Sequence, residues 1–426
     1  MLSGVTIPDC VTNIADQAFA SCTSLACLKI GNGVRNIGSA AFLSCSSLTN
    51  LVILDSVTSI GNNAFDNCIS LMNATIGNSV VSIGGNTFQG CRSLISVKIG
   101  NSVVSIGDNA FGNCYSLTSI TLGDSVADIG YATFQSCTNL ANVTIPNSVT
   151  NIGWYAFSSC TRLTNVTIPA SVFSIGGYLL FNCSKLTNVS IGNNVAIIGD
   201  CFLKNCSKLA RVTIGNNLTS IGISSFNNCS NLNSITIPAS VTNLGDYVFE
   251  SCTHLTNVYF IGNAPSLGSS IFQGDNAAII YYYPWTTGWG ATYGGRPVQI
   301  NPAYVFWRTT YGYPTNGSKD SLDSDGDGML NWQEFLAGTN PTNKADKLAI
   351  TTNCSGSTCT VSWSAKSNVI YQVTKSQNLA TWANAPTGSG VNQKSQQAAF
   401  MNQVLQYVDP NIAVTTSGFY RVSVVP

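Results

Sequence analysis

Carboxylates are concentrated in one twelve-residue segment, residues 323 to 334. Oxygen-bearing side chains stand at its first, third, fifth, ninth and twelfth positions, and Gly328 stands at the sixth. This is the spacing of a calcium-binding loop, in which glycine permits the sharp turn. Four carboxylates this close together repel each other unless a cation neutralises them, so we expect a structural Ca²⁺ rather than a solvated acidic turn. The expected ligands are Asp323, Asp325, Asp327, Met329 through its carbonyl, Asn331 and Glu334.

The residues around this loop predict only half of a helix-loop-helix. Residues 330 to 336 favour a short exiting helix that ends at Gly338. Residues 311 to 322 are rich in Pro, Gly, Ser and Asn, which argues against an entering helix next to the loop. The segment resembles the dockerin and thrombospondin type 3 calcium modules of secreted proteins. The resemblance implies that the metal stiffens a linker, which we place at residues 302–347.

Eleven cysteines recur at an unbroken spacing of 23 residues, from Cys22 to Cys252. A fixed period of this length predicts a solenoid of stacked coils. Equivalent cysteines of stacked coils have parallel Cα–Cβ bonds, which do not suit a disulfide, and the chain has a single histidine, His254, to share a zinc site. We therefore expect buried, reduced thiols. Cys354 and Cys359 differ, because Cys-Ser-Gly-Ser-Thr-Cys favours a hairpin, and they are the disulfide candidates.

One coil, residues 140–160, shows how the repeat folds. Val143 and Ile145 alternate with polar residues, which predicts one short strand in each coil. Gly153 follows Ile152 at a position that is glycine in nearly every coil, and we expect it to adopt a positive φ. A single coil buries too few side chains to be stable alone, so its neighbours must stabilise it. The fold class predicted is a β-rich solenoid of 11–12 coils over residues 1–275, with one continuous parallel sheet.

The repeat L-x-x-V-x-I-P-x-S-V-x-x-I-G-x-x-A-F-x-x-C resembles the 23-residue leucine-rich repeat of bacterial cell-surface proteins, the BspA-like or treponeme type. The similarity covers residues 4 to about 275. It implies a curved solenoid with the sheet on its concave side, and a role in adhesion or extracellular recognition. No catalytic residue comes with the family. At residues 180–181 and 201–203 the aromatic residue departs from the repeat by one position.

The outward strand positions predict a neutral, hydrogen-bonding face. The interpretation as a binding surface for a protein or a polysaccharide competes with a simple solvent-facing ladder, because Thr and Asn pairs also stabilise sheets. Ice binding through the Thr array is a remote alternative, since it needs a flat face. The candidate ligand-binding residues are Ser119, Thr121, Asn142, Thr144, Asn165, Thr167, Asn188, Thr213 and Thr236.

Two further segments follow the repeats. Residues 276–301 are rich in aromatic residues and are expected to cap the last coil, with carbohydrate stacking by Trp285 and Trp289 as the alternative. Residues 348–426 contain short alternating runs that predict a small β-sandwich. That part resembles, in outline, a fibronectin-type C-terminal domain of secreted bacterial proteins.

Composition narrows the function classes. Only 8% of the residues are charged, with 18 acidic and 18 basic side chains, so nothing favours a nucleic acid or an anionic membrane as partner. Apolar runs are too short to span a bilayer. Glutamate occurs only at positions 250 and 334, which gives no convergent acid–base pair and argues against an enzyme. We predict a secreted or cell-surface binding protein whose signal peptide is trimmed or missing; a self-associating structural protein is the alternative.

Overall fold

The computed structural model describes residues 2–346, and it describes the backbone alone of Ile350–Ser355, Thr358–Ala365, Ile370–Ser376, Ala383–Asn384, Gln403–Asp409 and Phe419–Val425. The chain divides into two compact units. The first consists of Met1–Phe260, Ala264–Ile280 and Trp289–Val298. The second consists of Ile261–Asn263, Tyr281–Gly288 and Gln299–Pro426.

The first unit is a solenoid of about twelve coils, and parallel strands pair residues 23 positions apart, as Val166 with Val189. Buried and exposed residues alternate along these strands, because successive side chains point to opposite faces. The prediction of parallel strands is confirmed. The strands are Gly4–Thr6, Cys27–Lys29, Asn50–Ile53, Asn73–Ile76, Ser96–Lys98, Ser119–Thr121, Asn165–Ile168, Asn188–Ile191, Arg211–Thr213, Ser234–Ile237 and Asn257–Phe260.

The sheet is not continuous, which corrects the prediction of one unbroken ladder. It is divided into sheets of two, four, three and five strands. One interruption lies at residues 142–144, where an isolated bridge between Asn142 and Asn165 replaces a strand. The last sheet also contains Ile279–Tyr282, Arg296–Ile300 and Thr292–Tyr293, the last two as an antiparallel pair.

Each coil also forms a second strand that the sequence did not predict. These strands are only two residues long, and they pair in parallel ladders of eight and four strands. A two-residue strand has no alternating pattern by which a sequence could reveal it. They are Asn13–Ile14, Asn36–Ile37, Ser59–Ile60, Ser82–Ile83, Ser105–Ile106, Asp128–Ile129, Asn151–Ile152, Ser174–Ile175, Ile197–Ile198, Ser220–Ile221, Asn243–Leu244 and Ser266–Leu267.

The glycine after the second strand is required by close packing, and the expectation of a positive φ there was wrong. A Cβ atom added to Gly153 would lie 2.6 Å from both the carbonyl carbon of Gly130 and the amide nitrogen of Tyr131 in the preceding coil. The left-handed residue comes two positions later, at Tyr155, with φ of 59°. Every described coil has such a residue there, with φ from 50° to 59°.

Two columns of buried side chains form the centre of the solenoid. Phenylalanines stack along it with ring centroids 5.2–5.5 Å apart, from Phe19 to Phe157 and again from Phe226 to Phe272. Leu180 and Leu203 are fully buried at the two positions between these stacks. The departures in the repeat therefore change the packing and leave the register intact.

The cysteines form the second column, and the expectation of reduced core thiols is confirmed for the described residues. All cysteines in residues 2–346 are free, and most of the ladder is buried. Each thiol from Cys45 to Cys252 donates to a backbone carbonyl of the preceding coil, as the thiol of Cys68 does to Phe42 at 3.3 Å. Burial raises the pKa of Cys137 to about 12. A buried neutral thiol is a small hydrophobe with a weak donor, which suits this position.

The second unit contains two helices, α1 at Pro302–Thr310 and α2 at Asn331–Ala337. Pro302 begins α1, where its missing amide hydrogen costs nothing, and the side chain of Asn301 caps it by accepting from Ala303 at 3.0 Å. Its C-terminal strands form two three-stranded antiparallel sheets. The runs at 359–363, 370–373 and 419–424 that predicted strands lie within them.

Candidate functional site

The acidic loop folds around its own carboxylates. Asp323 accepts the amide hydrogens of Gly326 at 2.7 Å and Gly328 at 2.9 Å. Asp327 accepts from Met329 at 2.7 Å. Oxygen atoms of Asp323, Asp325 and Asp327 all lie within 4.8 Å of one another. The backbone can follow this path because Gly326 and Gly328 adopt φ values of 72° and 96°, which favour glycine.

Several oxygens in this loop are buried without a hydrogen-bond donor. Both carboxylate oxygens of Glu334 are in this state, and so are Oδ2 of Asp325 and Oδ1 of Asn331. Glu334 is 0% exposed, and burial together with the charges of Asp325, Asp327 and Asp323 raises its pKa to about 8. An uncompensated buried carboxylate is costly, and a bound cation removes that cost. The donor set therefore fits a hard cation such as Ca²⁺.

The remaining side-chain contacts hold these oxygens in place. The Asn331 amide nitrogen donates to the Lys319 carbonyl at 2.7 Å and to Ser324 Oγ at 2.9 Å, which leaves its oxygen for the loop interior. Asn331 begins α2, and Gly338 ends it in the left-handed conformation, with φ of 68°. The helix and its final glycine are as the sequence predicted, and helix α2 presents Glu334 to the loop.

Helix α2 also packs into an aromatic cluster. The ring of Phe335 lies 4.8 Å from Tyr304 and 5.5 Å from Trp307 of α1. Trp332 stacks on Trp285 with centroids 5.4 Å apart. The loop and the two helices of this segment therefore share one small core, so loss of order in the loop should alter the tryptophan environment.

A buried ion pair precedes the loop, and the sequence analysis did not identify it. Arg308 of α1 lies 3.1 Å from the carboxylate of Asp320, and the hydroxyl of Tyr304 donates to the same oxygen at 2.5 Å. Burial raises the pKa of Asp320, while Tyr304 and Arg308 act in the opposite direction. This pair ties α1 to the turns that lead into the loop. No helix enters the loop directly, as the composition of residues 311–322 predicted.

The candidate ligand-binding residues all lie on the outward face of the first set of strands or in the break between them. All are exposed except Thr213, which is half-buried. The asparagines there bond to one another: Asn188 donates to Asn165 at 2.8 Å, and Asn165 donates to Thr164 at 3.1 Å. The asparagine column is thus partly satisfied within the protein, as expected for a structural ladder.

The threonine column on the same face is different. Within residues 2–346, the hydroxyls of Thr121, Thr144, Thr167 and Thr236 make no hydrogen bond to another protein group. Thr121, Thr144 and Thr167 stand at equivalent positions of three consecutive coils, and Thr236 stands at the same position three coils later, so each offers a free donor and acceptor on this face. We call these four residues the threonine row.

In the last coil of the solenoid, an aspartate occupies the position that cysteine holds in the preceding coils. Asp275 lies 23 residues after Cys252, is 1% exposed, and neither of its carboxylate oxygens has a hydrogen-bond partner. Burial raises its pKa to about 7, opposed in part by the amide of Cys252 and the charge of Arg296. The 23-residue spacing could have revealed this substitution.

The aromatic residues expected to cap the last coil fall into two groups. In the first unit, Trp289 and Tyr293 pack against Phe260 with centroids 5.0 and 5.4 Å apart, and the Tyr293 hydroxyl donates to the Pro265 carbonyl. In the second unit, Trp285 belongs to the cluster around α2. Trp289 and Trp285 are both half-buried in these contacts.

The disulfide candidates lie at directly paired positions of an antiparallel hairpin, Cys354 opposite Cys359. Their side chains lie outside the described residues, so the disulfide stays a prediction. The hairpin geometry itself is as the sequence indicated.

Among the described residues, neither helix has the length and apolar character needed to span a bilayer.

The family model of the BspA type leucine rich repeat region matches six copies in this chain, over residues 1–105, 58–187 and 174–283. No curated protein matches the sequence.

Solved structures of several leucine-rich repeat proteins are similar to this chain. A leucine-rich repeat protein from Bacteroides ovatus is 28% identical, with a TM-score of 0.55 over 66% of this chain and 78% of that one. A leucine rich cell surface protein from Faecalibacterium prausnitzii is 33% identical over 62% and 80% of the two chains, with a TM-score of 0.41. The T. pallidum leucine rich repeat protein is 31% identical over 38% and 78%, with a TM-score of 0.36.

Proposed function

Because this chain belongs to the BspA type of leucine-rich repeat proteins, a family typical of cell surfaces, we propose that it is a non-enzymatic adhesion or recognition protein. Its ligand is an extracellular protein or polysaccharide, and the binding surface is the outward face of the first set of strands. The fold is a scaffold whose exposed side chains decide the ligand.

The threonine row carries this proposal. A structural ladder would satisfy its hydroxyls within the protein, as the neighbouring asparagines do. Thr121, Thr144 and Thr167 instead leave theirs without a protein partner at equivalent positions of three consecutive coils, on either side of the break between two sheets. A periodic row of free hydroxyls with few charges nearby fits a ligand with its own repeating hydrogen-bonding groups.

The test is a binding screen of the full chain against extracellular matrix proteins and polysaccharides. We expect a ligand whose affinity falls about tenfold or more in the Thr121→Lys, Thr144→Lys and Thr167→Lys triple variant, because a bulky charge blocks the row. Thr150→Lys, in the same coil but with its hydroxyl bonded to Ala127, is the matched control. Mass that rises with protein concentration, with no ligand bound, would favour the self-associating alternative.

We further propose a structural calcium ion at the acidic loop, held by Asp323, Asp325, Asp327, Asn331, Glu334 and the Met329 carbonyl. The ion supplies the positive charge that the buried oxygens of Glu334 and Asn331 lack. Its role is to hold α2 and its aromatic cluster in one conformation, because in such loops binding energy is folding energy. Extracellular modules of this kind bind at about 10⁻⁴ to 10⁻³ M.

Calorimetry and tryptophan fluorescence test the calcium site. We expect calcium to bind and to shift the emission of the cluster that contains Trp285 and Trp332. Glu334→Gln should abolish both effects, since it removes the ligand charge at the twelfth position. Asp124→Asn, an exposed carboxylate of the solenoid, should leave them unchanged. Binding that survives Glu334→Gln would refute the assignment.

A further inference from the structure

Four aromatic residues, two of them exposed and two half-buried, form a strip at the corner after the second strand of three adjacent coils. We call Tyr131, Trp154, Tyr155 and Tyr178 the aromatic strip. The rings of Tyr155 and Tyr178 stack 4.6 Å apart at 14°, and Tyr131 lies 5.6 Å from Tyr155. Trp154 is 49% exposed and Tyr131 is 47% exposed.

The fold does not require aromatic residues here. In the other described coils the positions equivalent to Trp154 hold mostly small or polar residues: Asp16, Ser39, Asn62, Gly85, Asp108, Gly177, Asp200, Ile223, Asp246 and Ser269. Tyr155 and Tyr178 also occupy the left-handed position, with φ of 59° and 55°, which disfavours bulky side chains. Apart from Tyr247 in a later coil, the aromatic residues at these two positions of the described coils all lie on three adjacent coils, against the local preference of the backbone.

Glycines lie beneath the indole of Trp154. A Cβ atom on Gly177 would meet Cζ3 of Trp154 at 2.7 Å, and one on Gly176 would meet its Cδ1 at 2.6 Å. The ring thus lies directly against the backbone of the next coil. With one face covered in this way and half of the side chain exposed, the ring turns its other face to solvent.

Carboxylates stand at both ends of the strip. The residues at this position of successive coils are Asp108, Tyr131, Trp154, Gly177 and Asp200. Hydrogen bonds between the backbones of adjacent coils hold them in register. The amides of Asn109, Ala132, Tyr155 and Tyr178 donate to the carbonyls of Tyr131, Trp154, Gly177 and Asp200, at 2.7, 2.8, 3.1 and 2.7 Å respectively. Asp108 and Asp200 each use one oxygen to accept an amide hydrogen of the following coil, at 2.7 and 2.8 Å. Their other oxygens are available as acceptors.

We propose that the aromatic strip binds an uncharged glycan chain. A pyranose ring offers an apolar face of C–H groups, which fits the open face of Trp154. Sugar units on either side of it bring hydroxyl groups towards Asp108 and Asp200, which lie two coils away in opposite directions. The two carboxylates disfavour acidic glycans. A protein partner fits less well, because the strip is narrow and bordered by polar columns, whereas a stable protein interface needs about 1,000 Å² with an apolar centre.

This site is separate from the threonine row, so the two can be tested apart. The full chain is incubated with insoluble cellulose, xylan, mannan and β-1,3-glucan, and bound protein is measured; a soluble hexasaccharide of any glycan retained is then titrated by calorimetry. We expect retention on at least one of these glycans and a loss of affinity of about tenfold or more in Trp154→Ala. Gly177→Ser should act similarly, because its Cβ displaces the ring while every aromatic residue is kept.

Two controls define the outcome. Phe173→Ala removes an aromatic residue that is 62% exposed but lies outside the strip, and the Thr121, Thr144 and Thr167 lysine variant changes only the strand face. Both should bind the glycan as the unchanged protein does. The proposal is overturned if none of the four glycans is retained, if Trp154→Ala binds normally, or if Trp154 proves necessary only for capture of a protein. If the threonine-row variant binds every ligand normally, the proposed function of the strand face fails, but the result for the aromatic strip still stands.

Discussion

Replacement of Asp275 by asparagine should stabilise the last coil, and increasingly so as the pH rises. The carboxyl is 1% exposed, and burial raises its pKa from 3.8 to about 7. The folded state therefore holds a proton that the unfolded chain releases, so the free energy of unfolding falls between pH 3.8 and about pH 7 and is flat above. The gap of about three pH units, at about 1.4 kcal/mol each, corresponds to about 4 kcal/mol.

Hydrogen exchange of the full chain measures this locally. The reporters are amides of the last coil, such as Asp275 bonded to Phe272 and Ala278 bonded to Asp275. For each amide, the protection factor against hydrogen exchange in Asp275→Asn is divided by that in the unchanged protein. This ratio should approach one near pH 4 and rise towards about a thousandfold at pH 8. Asp124→Asn, an exposed carboxylate several coils away, should keep the ratio near one. A ratio for Asp275→Asn that is constant from pH 4 to 8 would refute the reasoning.

Three further outcomes are expected from the packing and from the proposed calcium site. Gly153→Ala should destabilise the solenoid by about 1–3 kcal/mol in chemical denaturation, because its Cβ meets backbone at 2.6 Å, while Gly85→Ala, with its nearest contact at 3.4 Å, should be neutral or slightly stabilising. Iodoacetamide at pH 8 should modify the exposed Cys10 and Cys27, and peptide mapping should find Cys137 unmodified until the chain unfolds, since only the thiolate reacts. A chelator should increase proteolysis within residues 311–346 of the unchanged protein, and should have no such effect on Glu334→Gln, which is cut at the higher rate with or without calcium.

The sequence was most informative where one residue type recurs at a fixed interval. The cysteine spacing predicted the coils. The alternation at Val143 and Ile145 predicted one strand in each coil; most coils form it, but in that coil only an isolated bridge at Asn142 is present. The spacing of the acidic loop also predicted that Asp323, Asp325 and Asp327 lie close together, and the structure brings their oxygen atoms within 4.8 Å of one another. For these features, local pattern and tertiary contact carry the same information.

Contacts between coils were harder to predict from the sequence. The role of Gly153 depends on the backbone of the preceding coil, and the strand at Asn151–Ile152 is too short to show a period. The Arg308–Asp320 pair joins residues whose proximity only the folded segment reveals. The aromatic strip and Asp275 could have been found by aligning the coils column by column, since both are departures from the repeat.

The uniform span of the hydrogen bonds in the solenoid bears on how such a protein can change its length. Cysteine thiols bond 26 residues back, and the parallel strands pair at 23. Removal or duplication of one whole coil, for example residues 117–139, therefore joins each donor to an equivalent acceptor and leaves the register unchanged. Unequal recombination in the gene can therefore lengthen or shorten the array in steps of 23 residues while every coil keeps the same packing, whereas loss of a coil that carries part of the aromatic strip would also remove that surface.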